Sequence, residues 1–179
     1  GFGQTIIPDP NFEQKLINLG YDTGTPNGFV PTANIDTITT LVIVNGGISD
    51  LTGIQDFISL DYLNCYNNQL TYLDVSYNIA LDSLNCSHNQ LDSLNISGII
   101  SLSRLDCYDN QLEILDVTTN ASLNYLRCGA NNLTTLDLDS NPALTILRCD
   151  GNSLNTLNLS NNPALNELDF SANQLTSLN

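Results

Sequence analysis

The 179-residue sequence contains no tryptophan and no methionine, and aromatic residues make up only 7% of it. A core built from such a chain must be aliphatic. At 41% hydrophobic content, this length suffices to fill one for a single domain. Positive charge is equally scarce. Four Lys and Arg stand against 19 Asp and Glu, giving a formal net charge of -15. That balance excludes nucleic acid as a partner, because phosphate binding needs clustered cations. Anionic membrane surfaces are excluded by the same repulsion. No run of about 18 apolar residues exists, so no helix is expected to span a membrane. An acidic surface fits a secreted or surface-displayed protein. The start, Gly1-Phe2-Gly3-Gln4-Thr5, is compatible with the remnant of a cleaved signal peptide.

What the chain has in abundance is leucine and asparagine, and both recur at a fixed step. Cys65, Cys86, Cys107, Cys128 and Cys149 are each 21 residues apart. Leu63, Leu84, Leu105, Leu126, Leu147 and Leu168 keep the same step, as do the columns beginning at Leu70 and Leu73. A polar column runs Asn68, Asn89, Asn110, Asn131, Asn152 and Asn173. One unit reads Leu60-Asp-Tyr-Leu63-Asn-Cys65-Tyr-Asn-Asn68-Gln-Leu70, then Thr-Tyr-Leu73-Asp-Val75-Ser-Tyr-Asn78. Its second half nearly repeats its first. The alternation Leu-x-Cys or Leu-x-Val has a period of two, which predicts strands rather than helices on both halves. One such coil cannot bury its apolar side alone, but stacked coils can, at about 4.8 Å per layer.

The first half-unit matches the pattern L-x-x-L-x-L-x-x-N-x-L, with Cys in one Leu slot, and so resembles a leucine-rich repeat. The double unit resembles the IRREKO class of bacterial leucine-rich repeats over roughly residues 60–179. The fold this implies is a leucine-rich repeat solenoid, mainly β, with short parallel strands on both walls of each coil. Residues 38–59 differ. Ile38-Thr-Thr-Leu41-Val-Ile43 and the return through Ile48, Leu51, Ile54 and Phe57 give a 22-residue step. This first coil resembles the internalin-like repeat, in which a helical or 3₁₀ turn is expected. Asn179 falls partway through a coil, so a segment of a longer chain is expected.

Residues 1–37 precede the repeats. Asp9-Pro10 reads as an N-cap followed by Pro at the first helical position. Phe12, Leu16 and Leu19 share one helical face, and Gly20 follows as a C-cap. A helix over 10–19 is expected to cover the open end of the solenoid, where bare edges would invite edge-to-edge pairing. Residues 7–14, Ile-Pro-Asp-Pro-Asn-Phe-Glu-Gln, resemble the caps of secreted leucine-rich repeat proteins from the Bacteroidetes. That resemblance implies an exported protein.

Four groups of residues invite a chemical role. The five cysteines share one inward column. Metal ligands must converge from different directions, and parallel side-chain vectors disfavour disulfides, so free, buried and inert thiols are expected. Phe170 in the Cys slot of the last coil suits packing. His88 is the only histidine and should lie one coil from Asp109. A hydrolytic triad also needs an oriented nucleophile and an oxyanion hole, so a solvated loop histidine is the expectation. The loop Asp22-Thr-Gly24-Thr-Pro26-Asn27-Gly28 departs from a calcium loop at Gly24, Pro26 and Ala33, and reads as a turn. The column Asp74, Asn95, Asp116, Asp137 and Asn158 reads as a solvated acidic face. No metal or cofactor is expected.

The outward columns of the first-strand wall differ from all of these. They run Tyr62, Asn64, Tyr66; Ser83, Asn85, Ser87; Arg104, Asp106, Tyr108; Tyr125, Arg127, Gly129; Ile146, Arg148, Asp150; and Glu167, Asp169, Ser171. All three arginines of the chain lie here. Arg and Tyr are the side chains that interfaces favour, and repeat solenoids bind through such walls. The bland alternative is Arg–Asp pairing across strands, as between Asp106 and Arg127. The expectation is a recognition module rather than an enzyme, secreted or on a cell surface. Its protein partner would meet Tyr62, Tyr66, Arg104, Asp106, Tyr108, Tyr125, Arg127, Arg148 and Asp150. A carbohydrate-binding module and a structural spacer are the alternatives.

Overall fold

The computed structural model describes residues 3–178. Strands three residues long recur once per coil because only the Leu-x-Cys segment alternates before the chain must turn. The first wall is one parallel sheet of seven: β3 (Thr40–Val42), β4 (Tyr62–Asn64), β6 (Ser83–Asn85), β8 (Arg104–Asp106), β9 (Tyr125–Arg127), β10 (Ile146–Arg148) and β12 (Glu167–Asp169). The second wall carries β5 (Tyr72–Asp74), β7 (Ser93–Asn95), β11 (Thr156–Leu157) and β13 (Ser177–Leu178), as two separate pairs. On the first wall each Leu pairs with the Leu one repeat on, from Leu63↔Leu84 to Leu147↔Leu168. The core between the walls is a stack of aliphatic layers, with Leu63, Leu105, Leu126 and Leu147 fully buried.

The turn after each first-wall strand is left-handed. Asn45, Asn67, His88, Asp109, Ala130 and Ala172 all take φ of 49–56°. Asn and Asp tolerate this region, while Ala does so at some cost. A buried or half-buried Asn holds each turn. Asn131 Nδ2 donates to the carbonyls of Cys107, Cys128 and Gly129, and its Oδ1 accepts from Leu112 N at 3.0 Å. Asn89, Asn110 and Asn152 repeat that pattern. Each of these amides therefore bonds its own coil and the one before it.

On the second wall the equivalent Asn column does less. Asn141 Nδ2 donates to Val117 O and Asn120 O, but its Oδ1 is buried without a partner, as are those of Asn78, Asn120 and Asn162. Ile99 occupies this column in one coil and is fully buried. Between the coils around Leu94, Leu115, Leu136 and Leu157 the wall has no strand pairing, so the expected strands are missing near Leu115 and Leu136. Three cavities of about 590, 290 and 250 Å³ lie there between successive coils.

Helix α1 (Pro10–Asn18) closes the N-terminal end of the stack. Its cap residue works twice. Asp9 Oδ1 accepts from Asn11 N and Phe12 N, while Oδ2 accepts from Ser49 N, Ser49 Oγ and Asp50 N of the first coil. Burial alone would raise this carboxyl's pKa, but those donors outweigh it and hold the group below the usual carboxylate range. Lys15 Nζ donates to Val44 O at 2.8 Å, and Phe12 stacks on Phe57. Leu19 departs from its expected place on the buried face and is 45% exposed. The helix ends at Asn18, Leu19 becomes the C-cap, and Glu13 is buried instead. The Glu13 carboxylate accepts from Asn27 N and Gly28 N, which fixes the loop that the sequence reads as a turn. A short antiparallel pair, β1 (Gln4–Ile6) with β2 (Phe29–Pro31), was not foreseen. The first coil carries the expected 3₁₀ turn at Ile54–Asp56.

Candidate functional site

The first wall presents its outward residues as continuous columns because its strands are in register. Tyr62, Ser83, Arg104, Tyr125, Ile146 and Glu167 form one column, and Asn64, Asn85, Asp106, Arg127, Arg148 and Asp169 the next. Tyr66, Tyr108 and Asp150 follow just past their strands. All nine candidate residues thus share one face.

Several of them touch. The Arg127 guanidinium lies 3.9 Å from the centroid of the Tyr108 ring, and its Nη1 is 3.5 Å from Asp106 Oδ2. Arg104 lies 4.3 Å from the centroid of the Tyr125 ring. The Arg148 guanidinium pairs with Glu167. Each cation–π contact at such an exposed site contributes about 0.5–1 kcal/mol, enough to orient a side chain but not to hold the fold. Asp150 stands apart from these pairs. Its carboxylate lies over Gly129, where a Cβ would collide with it.

His88, in its loop beside Asp109 and with 36% of its side chain exposed, also joins this surface. Its ring meets Tyr66 edge-on at 5.0 Å and Tyr108 at 5.5 Å, and its Nδ1 lies 2.7 Å from Asp109 Oδ2. Tyr66, His88, Tyr108 and Arg127 therefore form an unbroken strip across three junctions between coils. The sequence signal was the mixture in the His88 column, which a left-handed turn explains. That conformation swings the ring back over the wall.

Two of the three arginines sit where a local bond has been given up. Asn64, Asn85, Asp106 and Asp169 each use Oδ1 to accept the backbone N–H two residues on. Arg127 and Arg148 occupy the same column and carry no acceptor for that bond, so their side chains extend outward. The acids of the second wall are similarly engaged. Asp74, Asp116 and Asp137 each accept the N–H two residues on. The hydroxyl and N–H of Thr118 hold the Asp116 carboxyl below its ordinary value.

The five thiols are free and fully buried. Burial pushes Cys65 and Cys149 up to about 12 and raises the other three as well, with neighbouring thiols and Asp106 adding to the effect. Among the described residues, no group of three or more His, Cys, Asp or Glu could hold a metal ion. No helix among them is long and apolar enough to cross a membrane.

No protein-family model matches the chain, and no curated protein does. Solved structures do. The functional domain of InlJ from Listeria monocytogenes, which includes a cysteine ladder, superposes over 99% of this chain with a TM-score of 0.66 and 27% identity. The chain spans 50% of that domain. An internalin C2 from Listeria monocytogenes matches over 96% of the chain and 88% of its own length, with a TM-score of 0.65 and 26% identity. A leucine-rich repeat protein of Leptospira interrogans covers 82% of the chain and 46% of itself, at a TM-score of 0.67 and 20% identity, a likeness of fold alone. The architecture is that of a leucine-rich repeat solenoid. The stacked thiols of this chain form a ladder of five.

Proposed function

We propose that this chain is the protein-recognition segment of an exported or surface-displayed bacterial protein, with the first wall as its contact face. The single observation that carries the reading is the aromatic–cationic strip of Tyr66, His88, Tyr108 and Arg127, flanked by the Arg104–Tyr125 pair. Planar Arg forks and amphipathic Tyr rings, oriented before a partner arrives, lose little entropy on binding. They stand on the fully hydrogen-bonded wall, where side-chain positions are best defined. The likeness to internalin structures supports a binding role. Residues 7–14, with their resemblance to secreted Bacteroidetes caps, support export, and the double unit supports assignment to the IRREKO class. The chain divides into a cap over 1–37, an internalin-like coil over 38–59 and 21-residue repeats thereafter. No catalysis is assigned. The His88 Nδ1 is taken up by Asp109, and the Ser87 hydroxyl donates to Asn85 Oδ1 at 2.6 Å.

The test is a screen of the chain against bacterial and host surface proteins and a glycan array. A variant with Arg104, Arg127 and Arg148 all replaced by Ala runs in parallel. The expected result is a protein ligand that the wild type retains and the triple variant loses, with unchanged circular dichroism. Binding that survives the triple substitution removes the wall from the mechanism.

A further inference from the structure

The wall is not level. Ser83 is the one short side chain between Tyr62 and Arg104 in its column, and it leaves a notch of about 160 Å³. Ser83, Leu84 and Asn85 form its floor, while Tyr62 stands on one side and Arg104 and Tyr125 on the other.

The polar groups around this notch are unbalanced. The acceptors of Asn85 and Asp106 are already engaged. Asn85 Oδ1 takes the Ser87 N–H at 3.0 Å and the Ser87 hydroxyl at 2.6 Å. Asp106 Oδ1 takes the Tyr108 N–H at 3.1 Å, and Oδ2 faces Arg127. Its donors are spare. Among the described residues, the ion pairs are His88–Asp109, Arg127–Asp106 and Arg148–Glu167, so Arg104 alone of the three arginines faces no carboxylate. The Asn85 amide nitrogen donates to no described residue either.

We infer that the notch receives an aspartate or glutamate side chain of the partner protein, clamped by Arg104 and the Asn85 amide. The inference rests on the reading of the wall as a protein-binding face. A sugar hydroxyl is neutral and cannot meet a guanidinium through two parallel charge-assisted bonds. A carboxylate only accepts, and it matches a planar guanidinium held over Tyr125. Arg104 is also the point where an acid is tolerated on a chain of net charge -15. The partner is therefore neutral or basic as a whole, with one acid as its anchor, because a strongly acidic protein would be repelled before contact.

The experiment is a titration of the ¹⁵N-labelled full chain with N-acetyl-glutamate N-methylamide, followed by NMR. The glutamine analogue and methyl β-glucoside serve as the other arms. Saturable shifts at the Arg104 Nε–H and the Asn85 side-chain amide are expected with the acid alone. They should vanish in Arg104→Gln, whose remaining amide signals stay in place. Equal shifts with the glutamine analogue or the glucoside would overturn the proposal. So would silence at the notch up to about 50 mM, where a single charge-assisted contact should register. Such a failure leaves the wall itself standing, since that rests on the triple substitution and a whole partner.

Discussion

Two walls made from nearly the same half-repeat behave differently. On the first, every junction between coils is laddered, and each turn amide of the Asn89–Asn152 series bonds two coils through both ends of its side chain. On the second, the ladder fails at three consecutive junctions and the turn amides leave Oδ1 unpartnered. The apolar patterns turn inward on both walls, although Leu115 and Leu136 are 6% and 8% exposed where the first-wall leucines Leu105, Leu126 and Leu147 are fully covered. What separates them is whether each buried polar atom finds a partner. The satisfied wall carries the arginines and tyrosines, and the looser one carries cavities between its coils.

That contrast can be broken most forcefully with alkali, since the thiols belong only to the first wall. Their folded pKa values are raised, so the stability they contribute is fully present below the unfolded value. It is lost as pH rises towards about 12 for Cys65 and Cys149. At pH 10 each thiol kept protonated costs on the order of 2 kcal/mol relative to an unfolded chain that ionises near 8.5. The urea midpoint should fall steeply between pH 8 and 10, and a chain with all five Cys replaced by Val should show a flatter dependence. Identical slopes would contradict thiols that stay protonated in the fold.

Single amides come next. Asn131→Ala removes four hydrogen bonds and should lower unfolding free energy by about 4 kcal/mol. Asn141→Ala removes two, together with an unpaired oxygen, and should cost about 2 kcal/mol. Equal losses in urea titrations would erase the distinction between the walls. A gentler probe is amide hydrogen exchange. The N–H groups of Leu115 and Asp116 should exchange roughly 100-fold faster than those of Leu105 and Asp106, and comparable protection would mean that the second wall is laddered after all. The smallest effect concerns the surface strip. Arg127→Ala should change stability by less than about 1 kcal/mol, because its ion pair and ring contact are exposed. A larger loss in thermal unfolding would make that residue a structural strut.

Most of the first wall was legible in the sequence. A 21-residue step fixes register, a period of two fixes strands, and Cys in a Leu slot fixes an inward thiol. The Asp106–Arg127 and His88–Asp109 neighbours follow from the same arithmetic. The gaps in the second wall were not legible, because period-two residues near Leu115 and Leu136 look the same whether or not their backbones pair. Ile99 in an Asn column was the one visible hint, and its amide reaches Ile96 O at a long 3.5 Å. The ring contacts of His88 with Tyr66 and Tyr108 are not legible, since a column of Asn, His, Asp and Ala gives the backbone conformation only indirectly. At the helix, spacing alone placed Leu19 inside. The cap geometry at Leu19 and the backbone N–H groups that draw Glu13 inward decide otherwise.

The turn amides are written at constant separations. Asn89, Asn110, Asn131 and Asn152 each reach a carbonyl 24 residues back, another 3 residues back, and an amide 19 residues back. Deleting or duplicating one whole 21-residue segment restores every one of these bonds, whereas a single-residue insertion puts out of step every bond that spans it. Genetic change in such a molecule is therefore quantised. Unequal recombination between near-identical units can lengthen or shorten the contact face by one layer, about 4.8 Å, without rebuilding its interior. The coil before Asn68 falls outside this exchange. There the long separation is 25, so that junction stays tied to the end it closes.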